Sequence, residues 1–196
     1  MITVNINGEE RQYPQGATYE DVANDYQKEY DNLIALAARD GKIRELFKKL
    51  TRDCEITFFT LKDDVGNKTY VRSATMLFLK AVFDVFGRET VQNCRVEFAI
   101  GNGSYISPKG KINATEENAA KIRNRMRELV EAKTPFLKKS YSLDNAMELF
   151  RREGMKDKEK LFRYRRGSFV NIYEMDGYYD YYYGYMLPNA GYVKWF

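Results

Sequence analysis

The chain has no histidine anywhere in its 196 residues. That removes the side chain most often used as a general base near neutral pH and the commonest nitrogen ligand for zinc. Cysteine is scarce. Cys54 and Cys94 stand forty residues apart and neither belongs to a C-x-x-C pair, which argues against a disulfide framework or a zinc ribbon and fits two small core residues in a reducing cytoplasm. No apolar run approaches the ~20 residues needed to cross a bilayer, so no membrane partner is expected. The N-terminal MITVNINGEER lacks a basic stretch followed by an apolar one and is no signal peptide. A G-x-x-x-x-G-K-[ST] motif is also missing, so the chain holds no phosphate cradle of the P-loop kind.

What is present suffices for one or two folded domains. Hydrophobic residues make up 44% and charged residues 31%, enough for a core with a soluble surface. The net charge of +4 is mild. It does not by itself imply nucleic acid, whose partners usually carry clustered basic charge.

Ile2, Val4 and Ile6 alternate with polar residues as in a half-buried strand. Asn7-Gly8 supplies the positive φ of a tight hairpin, and residues 10–13 return. Thr18 with Asp21 three residues later predicts a helix N-cap. Leu33 to Ala38 reads as a buried strand, Asp40-Gly41 as a turn, and Glu55 to Leu61 as a closing strand. Residues 63–68, DDVGNK, read as a polar linker. Ala74, Leu77, Phe78, Ala81, Val82, Val85 and Phe86 keep helical spacing from Tyr70 onward, with Gly87 as the stop. A strand is expected over 91–100, a turn at Gly101-Asn-Gly103, a helix capped near Thr115, and another opened by Ser142 and closed by Gly154. Residues 162–173 and 177–196 read as strands and turns.

The order of the first sixty residues, with the Asn-Gly hairpin, the Pro14-to-Thr18 helix entry and the closing strand, resembles a TGS-type β-grasp domain. Residues 70–196 resemble the editing domain of threonyl-tRNA synthetases at three places. Arg72-Ser-Ala-Thr-Met76 stands where the family has His-Ser-x-x-His. Phe98 to Ser107 resembles its glycine turn. Tyr182-Tyr-Gly-Tyr-Met186-Leu-Pro-Asn-Ala-Gly191 matches its Cys-x-Gly-x-His-x-Pro-x-x-Gly. The resemblance implies an α+β chain: a TGS-like unit over 1–62, a linker over 63–68, and a degenerate editing-like unit over 69–196. In the family the two histidines of the helix, together with the Cys and His of the loop, hold zinc. All four positions differ here, as Arg72, Met76, Tyr182 and Met186. A permanent cation, two thioethers and a neutral phenol are a poor zinc set. No metal, no cofactor and no catalytic residue is therefore expected in this region. Either the four side chains fill the old cavity, or they line a repurposed pocket for a small ligand anchored by Arg72.

A second resemblance concerns Leu161 to Tyr173 and DYYYGYMLPNAGY. Both are similar to the N-terminal region of bacterial uridine-kinase-like proteins, which carry a TGS and an editing-like unit ahead of a P-loop kinase domain. It implies a noncatalytic regulatory or ligand-binding region, truncated at its C-terminus, whose partner is a C-terminal, ATP-dependent nucleoside kinase (transferase) domain of the same polypeptide. The open alternatives are an RNA-binding module of the tRNA type and a live aminoacyl-tRNA deacylase. Arg163, Arg165 and Arg166, beside Phe162 and Tyr164, are the candidate RNA contacts; arginines of a solvated strand face are the other reading. Lys121, Arg123, Arg125 and Arg127 read as a solvated helix face.

Overall fold

Turn chemistry and side-chain periodicity set the first unit. In the computed structural model, which describes residues 1–101, 103–108 and 112–196, β1 (Ile2–Ile6) and β2 (Glu9–Tyr13) form the expected hairpin. Asn7 and Gly8 take φ of 53° and 88°, the left-handed pair that matches strand twist. Helix α1 (Tyr19–Tyr26) opens with a capping box: Thr18 accepts from the Asp21 amide and Asp21 bonds back to the Thr18 amide. Such caps contribute about 1 kcal/mol. Strands β3 (Ile34–Arg39), β4 (Lys42–Glu45) and β5 (Cys54–Thr60) complete a five-stranded sheet of order β2-β1-β5-β3-β4, in which only the β1–β5 pair is parallel. This is a β-grasp arrangement, with Tyr19, Val22, Ala23 and Tyr26 of α1 buried against Val4, Ile6, Ile34 and Ile56.

Strand β3 is buried along five consecutive residues, Ile34 to Ala38. Alternate residues of a strand face opposite sides, so both sides of this sheet must be covered. Ala37 joins the core under α1, whereas Ala35 joins a second core made with Leu77, Ala81 and Leu187.

That second core belongs to the rest of the chain. Helix α2 (Asp64–Phe86) is followed by α3 (Arg88–Gln92), the hairpin β6 (Cys94–Ile100) and β7 (Gly103–Pro108), and α4 (Glu116–Glu131). Next come β8 (Leu137–Ser142), α5 (Leu143–Arg152), α6 (Lys156–Arg163), β9 (Phe169–Met175) and β10 (Tyr178–Asp180). Strands β10, β9 and β8 make a three-stranded antiparallel sheet. The expected stops and caps are in place: Gly87 at φ 82° after α2, Thr115 and Ser142 capping α4 and α5, and Gly154 at φ 71°. The whole is α+β, a β-grasp unit followed by an editing-like unit.

Four expectations need correction. Residues 64–68 are not a linker but the opening of α2. Gly66 lets that helix sit on β5, where an added Cβ would lie 2.0 Å from the Thr60 carbonyl oxygen. Val91 is helical, in α3, and the strand begins at Cys94. Phe162 and Arg163 end a helix, α6, and the strand after it begins at Phe169. Most of 177–196 is loop: only Tyr178–Asp180 is strand, and Ala190–Tyr192 is a 3-10 turn. Asn102 of the expected glycine turn lies outside the described residues. No helix among the described residues is long and apolar enough to cross a membrane.

Candidate functional site: the tyrosine loop and the seam between the two cores

The third turn of α2 and the loop after β10 meet, although more than a hundred residues separate them. Hydroxyls in mid-helix commonly bond the carbonyl four residues back, and Ser73 does so to Thr69 at 2.9 Å. Its oxygen also accepts from the Leu187 amide at 2.9 Å and lies 3.8 Å from Met186 Sδ. The preceding residue, Arg72, donates from Nη1 to the Tyr185 carbonyl at 3.1 Å. The loop makes room for that guanidinium with Gly184, whose φ is 131° and whose missing Cβ would fall 2.6 Å from Arg72 Cζ. Met76 and Met186 are both fully buried in the second core. Tyr182 packs against it, and its hydroxyl is buried with no hydrogen-bond partner among the described residues. Burial drives the Tyr182 pKa far up, and the Asp180 charge adds to this. The phenol is therefore neutral over the working range of the protein.

A carboxylate from the first unit completes this seam. Glu45, the last residue of β4, is 3% exposed. It accepts from Lys138 Nζ at 3.0 Å, from the Met186 amide at 3.2 Å, and from the Tyr173 hydroxyl. Three donors around one carboxylate are what a buried charge requires. Tyr173 is held protonated by its own burial and by the Glu45 charge, which together raise its pKa strongly. Nothing in the sequence singled out Glu45. Within KIRE it reads as one more charge on an exposed edge strand.

On the other side of the tyrosine loop a cavity of about 820 Å³ opens between α3, β6, the start of α6 and β10. Asp180, 3% exposed, stands in its wall. It accepts from the Tyr181 amide at 2.6 Å and from the Tyr178 hydroxyl at 3.2 Å, and pairs with Lys158. Tyr182 and Gln92 also line the cavity. Asp180 and Lys158 were missed in the sequence because the tyrosine run around Asp180 reads as core or interface, and α6 was not recognised. The cavity thus offers carboxylates (Glu97, Asp157, Asp180), cations (Arg95, Lys156, Lys158) and the Gln92 amide, a set suited to holding a polar ligand.

The candidate RNA arginines are partly committed within the fold. Arg163 pairs with Glu159 at 3.3 Å, and Arg165 donates to the Tyr181 hydroxyl at 2.7 Å while lying over the Phe162 and Tyr181 rings. Arg166 is exposed. On α4, Lys121 pairs with Glu117 and Arg125 bridges Asp84 and Glu128.

A β-grasp unit packed on an editing-like unit, with a glycine-containing loop folded against the third turn of a long helix, defines the architecture. Comparison with known proteins points the same way. No family model matches the chain. Over 97% of its length it is 29% identical to the threonine–tRNA ligase of Thermotoga maritima and 28% identical to that of Maricaulis maris. It is 23% identical over 99% of its length to the threonine–tRNA ligase of Porphyromonas gingivalis. The chain spans about 30% of the length of these relatives. The likeness to threonyl-tRNA synthetases thus runs along nearly the whole chain.

The zinc of that family does not fit here. Arg72 brings a permanent cation, Met76 and Met186 bring thioethers inside a packed core, and Tyr182 brings a neutral phenol. Among the described residues no group of three or more His, Cys, Asp or Glu could hold a metal ion.

Proposed function

We propose that this chain is a recognition region of the threonyl-tRNA synthetase editing type that binds without hydrolysing, its ligand being tRNA or a small molecule of like chemistry. The observation that carries this reading is the pairing of a packed former metal position with an open polar cavity next to it. The thioethers and Arg72 leave no group to ionise a water; of the three carboxylates that line the cavity, the buried one, Asp180, is engaged by three donors, and Glu97 and Asp157 are exposed. The cavity keeps the means to bind. The test is a deacylation assay with mischarged tRNA run beside filter binding of the same tRNA. Binding that Asp180→Asn weakens, with a deacylation rate equal to buffer, is the expected result. Accelerated deacylation, or no binding at any salt concentration, overturns the reading.

The sequence likeness to the N-terminal region of uridine-kinase-like proteins adds a finer reading, in which the region serves an ATP-dependent nucleoside kinase domain of the same polypeptide. A Walker A motif in the codons that follow supports it, and a class II synthetase core there rejects it.

A further inference from the structure

A second cleft, of about 470 Å³, lies where β4 and the segment after it meet β8 and the tyrosine loop. Its walls carry five cations: Arg39, Arg44, Lys48, Lys49 and Lys138. Its one carboxylate, Glu45, is already taken up by Lys138, Tyr173 and the Met186 amide. Arg39 donates to the neutral Thr51 hydroxyl, at 2.8 Å, and neither it nor Arg44, Lys48 or Lys49 has a carboxylate partner among the described residues. A folded protein of mild net charge usually pairs or disperses its cations, because concentrating them costs self-repulsion.

The cleft holds a second, independent sign of a ligand. Tyr19 lines it and is 1% exposed, yet its hydroxyl is buried with no hydrogen-bond partner among the described residues. Buried hydroxyls are rarely left unbonded, since each costs about 1–3 kcal/mol. Burial raises the pKa of that phenol, while the Arg39 and Arg44 charges, with Arg39 close enough for a weak side-chain contact, work against the rise. An acceptor-rich anion would answer both features, taking charge-assisted bonds from the guanidinium and ammonium groups and a bond from the phenol.

We propose that this cleft is a phosphate-binding site, built from Arg39, Arg44, Lys48 and Lys49 with the Tyr19 hydroxyl as its neutral donor. The inference stands apart from the ligand of the Asp180 cavity, so each can fail alone. The phosphate could belong to an RNA backbone or to a free phosphorylated molecule, and two probes separate these: a short single-stranded RNA and inorganic pyrophosphate.

The test uses the full chain and the double variant Arg44→Ala/Lys49→Ala, whose substituted side chains make no ion pair among the described residues. Calorimetric titration is expected to show about tenfold or greater weakening in the variant for whichever probe the wild type binds, as charge-assisted hydrogen bonds predict. If the natural source is RNA, the RNA is bound and its salt slope falls by about 1.4 for two lost contacts on a single strand. If it is a free phosphorylated molecule, pyrophosphate binds and the RNA does not. Tyr19→Phe gives a check free of charge effects. It should weaken the bound probe severalfold while leaving the thermal midpoint unchanged or raised, because the phenol has no partner to lose. Equal affinity of wild type and double variant for both probes, or no binding of either, overturns the proposal. Asp180→Asn should leave this binding intact.

Discussion

The hydroxyl of Tyr173 donates to the carboxylate of Glu45, joining the central strand of the second unit's sheet to the edge strand of the first. The same oxygen of Glu45 accepts from the Met186 amide, so one side chain fixes β9 and the tyrosine loop together. Replacing Glu45 by alanine would strand Lys138, whose side chain is 16% exposed, beside two other donors. Removing one partner of a buried pair typically costs about 3–5 kcal/mol. Glu45→Ala is expected to lose about 3 kcal/mol in urea unfolding, with Glu45→Gln intermediate because it still accepts from the Met186 amide. An unchanged midpoint would show that the seam holds without this carboxylate.

Gly184 is predicted to be intolerant of a side chain. Its φ of 131° is a conformation L-residues rarely adopt, and a Cβ would press on the Arg72 guanidinium. Gly184→Ala should cost about 1–3 kcal/mol by backbone strain and crowding. Pairing it with Arg72→Ala relieves the crowding but not the strain. A double-mutant cycle should therefore show partial, non-additive recovery. Full additivity would place the guanidinium away from this glycine.

The alkaline limit of stability should be set by buried tyrosines. Tyr178 and Tyr182 have pKa values raised well above the ordinary phenol, first by burial and then by the Asp180 charge. A group whose folded pKa is raised contributes stability that is complete below its unfolded pKa and is lost as pH climbs from there toward the folded value. The window opens near pH 10, the unfolded tyrosine value. Tyrosinate absorbance should show these rings ionising only together with unfolding. Tyr182→Phe should push the transition to higher pH, and at neutral pH should be neutral or stabilising by up to about 1 kcal/mol, since the lost hydroxyl has no partner. Earlier ionisation of all tyrosines in the folded state would contradict this.

The contact of Ser73 with Met186 and Leu187 shows that the third turn of α2 and the loop face each other. Substituting Arg72→His, Met76→His, Tyr182→Cys and Met186→His together is expected to restore a zinc site. Elemental analysis after dialysis should find about one zinc per chain, and binding should release protons as the thiol and imidazoles are taken up. A metal-free folded variant would mean the surrounding core has closed too far for tetrahedral ligation.

Much of the chain announced itself locally. Asn7-Gly8, Asp40-Gly41, Thr18, Thr115, Ser142 and Gly87 act through their own backbone preferences, and each stands where those preferences put it. The apolar spacing of α2 was legible for the same reason. Its first turn was not, because DDVGNK is polar and carries a glycine, and only the approach to Thr60 shows why that glycine suits a helix. Helix α6 was hidden by composition: KDKEKLFR buries only Phe162. Of the site, the juxtaposition of the Arg72 turn with the tyrosine loop could be read from the motifs. Glu45 could not, since its burial is created by β8, β9 and the loop, all supplied from more than ninety residues downstream.

The tight seat of α2 on β5 has a mechanical consequence. With no slack chain between Thr60 and the first helical turn, and β3 shared by both cores, neither unit can rotate without tearing apolar surface from the other. The molecule should behave as a single rigid beam. Heat or denaturant should melt it in one step, and a protease should find no early cut near residue 63.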